Sequence, residues 1–126
     1  MKPLEHRRVK KAVEDKFSMK IDTEHVSKLG IVDIHPVDLT GWKFKMLVHK
    51  HVEYCDQQLL FKTVGYVPNP ENGIVFFFTT ACKTDLDPGM YWYCVEYETP
   101  NGKTYRTESA KYEIVKSFNN YFSIYK

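Results

Sequence analysis

Several features that define other protein classes are missing from this sequence of 126 residues. No apolar run approaches the roughly 18 residues of a membrane-spanning helix, and no apolar stretch follows the basic N-terminus as in a secretion signal. The three cysteines, Cys55, Cys82 and Cys94, are an odd number without CxxC spacing. This predicts free thiols in a reducing compartment instead of a disulfide framework. We therefore expect assembly in a cytoplasm, without a membrane.

Motifs that carry catalysis are missing as well. The sequence has no glycine-rich phosphate loop, no G-x-S-x-G elbow and no H-E-x-x-H helix motif. His49, His51 and Cys55 are metal-ligand types, but their spacing fits no standard zinc motif, so a solvated strand end is the preferred interpretation. Asp85 and Asp87 could bind calcium, but Asp is common in turns, so a turn is the preferred interpretation of this pair. The sequence predicts no enzyme, no metal and no other cofactor.

Aromatic side chains are abundant, at 15% of the residues, within an ordinary hydrophobic share of 43%. Aromatic and β-branched residues fit a pleated, half-buried surface and therefore favour strands. The chain has the length of one domain, which buries enough surface to fold without disulfides or metals. Composition thus predicts a single β-rich domain.

Local patterns place the strands. Residues 42–49 alternate large apolar side chains with Lys43 and Lys45, which predicts a strand with one buried and one wet side. Residues 74–80 form a nearly continuous apolar strand, buried on both sides or at an interface. Residues 90–99 are the most aromatic strand, and Asn101-Gly102 predicts the tight hairpin that follows it.

About seven such strands, separated by turn residues and without a central helix, predict an all-β, antiparallel sandwich. We expect residues 17–115 to form this domain. Residues 1–16 are expected to form a basic arm or short helix, and residues 116–126 an aromatic C-terminal tail.

The N-terminal segment has six basic and three acidic residues among its first 16. Arg7, Arg8, Lys10 and Lys11 are its candidate partner-binding residues. They could neutralise nucleic-acid phosphates, but no aromatic residues lie between them to stack bases. A solvated arm, or docking onto an acidic neighbouring subunit, is therefore the preferred interpretation.

The C-terminal segment has aromatic residues at helical spacing, namely Phe118, Tyr121, Phe122 and Tyr125. Ten residues are too few for an isolated helix in water, so these side chains need a surface to lie on. That surface is a neighbouring subunit, where they would form an anchor, or the domain's own sheet, and the sequence leaves both open. Trp92 lies on a strand that has large side chains on both faces. It is therefore a candidate exposed aromatic platform.

Residues 87–91 (Asp-Pro-Gly-Met-Tyr) are similar to the D-x-G-x-Y motif of immunoglobulin-like domains, whose tyrosine forms a corner before the second cysteine. Residues 38–41 (Asp-Leu-Thr-Gly) lead into an alternating strand. A glycine-led strand from Gly73, a Thr84–Tyr91 segment, a hairpin and a final strand follow. Over residues 38–115 this order resembles the immunoglobulin-like structural proteins of tailed bacteriophages, including the N-terminal domains of baseplate upper proteins.

The resemblance implies an immunoglobulin-like fold and a virion structural role in the baseplate, neck or capsid, as an adaptor or decoration protein. Its partners would be other virion structural proteins, in several copies of a symmetric assembly formed in the host cytoplasm. The alternative is a carbohydrate- or receptor-binding module that uses Trp92 or Trp42 as a stacking platform. Nucleic acid is a weaker partner candidate.

Overall fold

The structure of the protein is a computed structural model that describes residues 3–26, 29–30 and 32–116. This part of the chain contains ten strands. They are β1 (Arg7–Lys10), β2 (Asp15–Lys20), β3 (Asp22–Val26), β4 (Val32–Pro36), β5 (Lys43–His49), β6 (Leu59–Tyr66), β7 (Ile74–Thr79), β8 (Gly89–Glu98), β9 (Thr104–Arg106) and β10 (Ala110–Val115). Two short 3-10 turns cover Asp56–Gln58 and Pro70–Asn72.

Eight of the strands form one sheet in the order β1-β10-β8-β5-β6-β7-β2, with β9 added to β8. Every neighbouring pair is antiparallel except β1 and β10, which are parallel. The sheet is nearly closed as a barrel. Its two ends, β1 and β2, are consecutive in the chain and joined by a short turn. Strands β3 and β4 form a separate hairpin.

The all-β, mostly antiparallel class is as predicted, but the N-terminal segment is not. Residues 7–10 are a strand of the sheet instead of an arm or a short helix. Strand β1 lies beside β10, with Val9 opposite Ile114, and its inward Val9 is buried in the core. A strand of four residues gives too short an alternation to be recognised from sequence, since its pairing partner lies at the other end of the chain.

The core lies between the inward faces of the curved sheet. Its largest fully buried side chains include Phe44, Met46, Val48, Val75, Phe77, Tyr93, Val95, Tyr112 and Ile114. Full burial of one such apolar side chain stabilises the fold by roughly 1.5–3 kcal/mol. The alternation predicted for β5 places Phe44, Met46 and Val48 in this core.

The opposite side of β5 is wet only in its first half. Lys43 and Lys45 are exposed, but Leu47 and His49 are buried, so the predicted wet side is wrong there. The Tyr54 ring lies edge-on to His49 with centroids 5.3 Å apart, and the Ser109 hydroxyl lies 3.2 Å from its Nε2. Segments before β6 and before β10 therefore cover this half of the strand.

The part of the chain that the structure describes contains no helical segment that could span a membrane.

Candidate functional site

The outer surface of β2, β7 and β6 exposes a contiguous group of large apolar side chains. Val64, Tyr66 and Phe78 are 67%, 56% and 52% exposed, and Phe76 is half-buried. The pairing register places Tyr66 opposite Phe76. We call the surface formed by Val64, Tyr66, Phe76, Phe78 and Lys16 the aromatic face.

The aromatic face follows from a strand that is apolar on both sides. In β7, Val75, Phe77 and Thr79 point inward and are buried. Phe76 and Phe78 alternate with them and point outward. Single exposed apolar residues are normal on proteins, whereas a contiguous cluster marks an interaction site. The described residues leave this side of β7 uncovered, so they do not show the burial on both sides that was one of the two predictions, and an interface stays a prediction.

Lysine extends over the aromatic rings. Lys16 on β2 is paired opposite Phe78, and its ammonium nitrogen lies 5.5 Å from the Phe76 ring centre and 5.8 Å from that of Phe78. The two rings are stacked, with centroids 6.1 Å apart. A cation over an exposed ring is worth roughly 0.5–1 kcal/mol. The lysine stem and the rings form one mixed surface.

Lysines are the charged residues at the outward positions of the strands that form the aromatic face. Outward positions on β2 and β6 add Lys20 and Lys62, and β5 adds Lys45, opposite Val64 on β6. The outward positions of β2, β5, β6 and β7, all of them described, include no Asp or Glu. The surface is therefore apolar in its centre and mostly cationic around it, with Glu14 beside Lys16 and Phe78 at one edge.

A second feature is the gap between the two ends of the sheet, which we call the seam. The structure shows no ladder between β1 and β2 among the residues it describes. A cleft of about 530 Å³ opens there, between residues 3–7 on one side and residues 17–20 on the other. Tyr93 contributes to its lining. Its hydroxyl donates to the Glu5 carbonyl at 2.6 Å, and burial raises its pKa to about 12.

An ion pair spans the seam. The Arg7 guanidinium donates to both carboxylate oxygens of Asp15, at 2.7 and 2.8 Å, and stacks 4.5 Å from the centre of the Phe17 ring. Arg7 was predicted to bind a partner, but its side chain points inward and is used within the fold. As at Tyr93, burial raises the pKa of the Tyr112 hydroxyl.

The other three predicted bases remain at the surface. Arg8 lies 3.4 Å from Glu113, and Lys10 is exposed. The Lys11 ammonium bonds to Asp85 at 2.6 Å and to the Leu86 carbonyl at 3.2 Å. The hydrogen bond to Asp85 raises the pKa of Lys11. Of the four, Lys10 is the one that forms no ion pair with another described residue.

The tail prediction lies outside the described residues, which end at residue 116. This applies to all four of its candidates, Phe118, Tyr121, Phe122 and Tyr125.

The two tryptophans are half-buried. Trp92 lies on β8 between His49 of β5 and Lys111 of β10 in the ladder. Trp42 stacks on Phe44 and Tyr97 with centroids 5.9 and 5.8 Å apart. Neither ring belongs to the aromatic face, which sequence patterning alone did not identify.

His49, His51 and Cys55, the metal-ligand types considered in the sequence, do not form a ligand group. The His49 Nδ1 contacts the backbone carbonyl of His51 at 2.6 Å, and its Nε2 contacts Ser109. Cys55 is a free thiol. Within the described ranges, no three His, Cys, Asp or Glu side chains are grouped to hold a metal. At the turn before β8, Asp85 pairs with Lys11, and the Asp87 carbonyl accepts a hydrogen bond from the Tyr91 hydroxyl at 2.7 Å.

Neither a protein-family model nor a curated protein sequence matches this chain.

Proposed function

We propose that the protein is a non-enzymatic structural subunit that binds neighbouring subunits through the aromatic face. The observation that carries this proposal is the contiguous exposure of Val64, Tyr66 and Phe78 beside Phe76. Aromatic residues are enriched in protein interfaces, and rings buried at an interface centre contribute most of the binding free energy. The surrounding lysines suit a partner surface that is apolar in its centre and carries carboxylates at its rim.

The assembly we propose is the virion of a tailed bacteriophage, with the protein as an immunoglobulin-like adaptor or decoration subunit of the baseplate, neck or capsid. The resemblance over residues 38–115 is the basis for the virion. The Tyr91–Asp87 hydrogen bond has the form of the tyrosine corner, and β5, β8 and β10 lie side by side like strands C, F and G of immunoglobulin domains. Assembly would take place in the host cytoplasm, with several copies in a symmetric arrangement.

Association with particles tests this function. Tailed-phage particles assembled in cells that produce the chain should contain it in several copies, measured by quantitative mass spectrometry. Phe78→Ser should lower incorporation strongly, whereas Tyr105→Ser, at a position of similar exposure on β9, should not. Absence of the chain from purified particles, or equal incorporation of both variants, would refute the proposal.

A second candidate function fits the same surface. Exposed rings beside lysines are also what single-stranded nucleic acid binds, through base stacking and phosphate neutralisation. Salt-dependent binding of oligothymidine that is lost in Phe78→Ala would favour this function. Binding of virion proteins without oligothymidine binding would favour the first.

A further inference from the structure

We propose that the seam between β1 and β2 binds an extended segment of a partner protein, which pairs with both strands and completes the sheet. This inference concerns the edges of the sheet, although Lys16 of the aromatic face also borders the seam. Within the described ranges, β1 pairs with β10 and β2 pairs with β7, and each has its other edge free. An unpaired strand edge presents backbone donors and acceptors that another chain can bind.

The directions of the two strands allow one inserted strand to satisfy both. Strand β1 runs parallel to β10, and each later step from β10 through β8, β5, β6 and β7 to β2 is antiparallel. Strands β1 and β2 therefore run in opposite directions. A segment between them would be parallel to one and antiparallel to the other, and both ladders have regular geometry.

The cleft in the seam has an apolar part, which we call its floor, and is lined as well by the charged Glu5, Arg7, Lys20 and Asp22. Leu4 and Tyr93 line it together with Phe17 and Met19 of β2. Leu4 and Phe17 are half-buried, so added side chains can cover them further. In a strand, alternate residues point to one face, so every second residue of an inserted segment would meet this floor. Apolar residues at those positions would extend the core.

The outward positions beside the seam define the other half of the partner's chemistry. Exposed cations lie on both sides, Arg8 and Lys10 on β1 and Lys16 and Lys20 on β2. Glu113 contacts Arg8, which leaves the three lysines for a partner. Opposite charges on neighbouring strands attract each other and stabilise the pairing of the strands. The outward positions of β1 and β2 carry no Asp or Glu, whereas Glu5 and Asp22 line the cleft beyond the ends of these strands. The fitting segment therefore carries Asp or Glu where it lies beside Lys10 and Lys16, in alternation with apolar residues.

The charge pattern also argues against a second copy of this chain as the donor. Residues 117–126 of such a copy, which follow the last strand, contain no Asp or Glu. The occupant we assign is therefore an acidic, alternating segment of a different protein.

The test uses the full chain and a fluorescein-labelled peptide, acetyl-Glu-Val-Glu-Leu-Glu-Val-Glu-Leu. Fluorescence anisotropy should show saturable binding, and hydrogen exchange should show new protection of amides in β1 and β2. The same peptide with Lys in place of Glu should bind at least about tenfold more weakly. Methylation of alternate backbone nitrogens should abolish binding, because it removes the donors to one of the two ladders and places methyl groups against that strand.

Matched variants locate the site. Lys10→Glu/Lys20→Glu reverses one charge on each side of the seam and should weaken binding about tenfold. Lys43→Glu/Lys103→Glu makes the same charge change at exposed positions away from the seam and should leave binding unchanged. Circular dichroism confirms that both variants fold. No saturable binding, binding that survives methylation, or protection outside β1 and β2 would overturn the proposal.

Discussion

Arg7 and Asp15 form a two-point ion pair across the open seam of the sheet, with both carboxylate oxygens within 2.8 Å of one guanidinium nitrogen. Their side chains are only 20% and 15% exposed. No backbone ladder joins β1 and β2 in the described part of the chain. This pair and the turn between the strands therefore hold the two ends of the sheet together.

Replacement of Arg7 should destabilise the fold. Arg7→Ala leaves the Asp15 carboxylate largely buried without its partner and removes the guanidinium from Phe17. Loss of one partner of a buried pair costs about 3 kcal/mol. Urea denaturation should show this decrease in the free energy of unfolding. Arg8→Ala is the matched control, since Arg8 is 69% exposed and its surface pair should contribute less than about 1 kcal/mol. Equal losses in both variants would contradict the structural role of Arg7.

The buried imidazole of His49 predicts a dependence of stability on pH. Burial lowers the pKa of His49, although the hydrogen bond to the His51 carbonyl raises it. A neutral ring fits both contacts, with Nδ1–H donating to His51 and Nε2 accepting from the Ser109 hydroxyl. Below the ordinary histidine pKa of about 6.5, residue 49 of the unfolded chain binds a proton, whereas the buried ring of the folded chain binds it only at a lower pH. The free energy of unfolding should therefore fall as pH decreases below that value.

The contribution of His49 is measured by comparison with His49→Asn, whose side chain does not titrate. The difference in the free energy of unfolding between wild type and this variant should narrow between about pH 8 and pH 5. His35→Gln removes a histidine from an exposed position on β4 and serves as the control. If the difference between wild type and His35→Gln decreases by the same amount, His49 is not the source of the pH dependence of stability.

The cysteines should differ sharply in reactivity. Cys94 is fully buried, and burial raises its pKa to about 11, whereas Cys82 is exposed. Because the thiolate is the nucleophile, iodoacetamide at about pH 8 should modify Cys82 in the native protein and Cys94 only after unfolding. Mass spectrometry of the tryptic peptides measures both. Native labelling of Cys94 at the rate of Cys82 would contradict its burial.

The sequence predicted strands wherever local chemistry determines them. The alternation before and after Phe44 identifies β5, because Lys43 and Lys45 take every second position, a period of two that does not fit a helix. Asn101 and Gly102 identify the hairpin between β8 and β9, where Gly102 has a φ of 86° that glycine adopts without strain. These signals act within a few residues and need no knowledge of the fold.

Other features depend on contacts far apart in sequence and were not predictable. The inward direction of Arg7 depends on Asp15, but also on the parallel pairing of β1 with a strand about a hundred residues later. The burial of His49 depends on Ser109, 60 positions away. The exposure of Phe76 and Phe78 depends on which side of β7 remains uncovered, and an apolar run does not reveal this.

The parallel pairing of the first and last strands has a consequence for how the protein folds. His6 and Glu113, whose side chains approach within 3.2 Å, are 107 positions apart. Closing so long a loop costs chain entropy before the contacts between the two strands can form. Folds rich in contacts between distant residues reach the native state in milliseconds to seconds. On the ribosome, β1 emerges early and cannot find its neighbour until β10 has been synthesised. During that interval its backbone is available to any other strand.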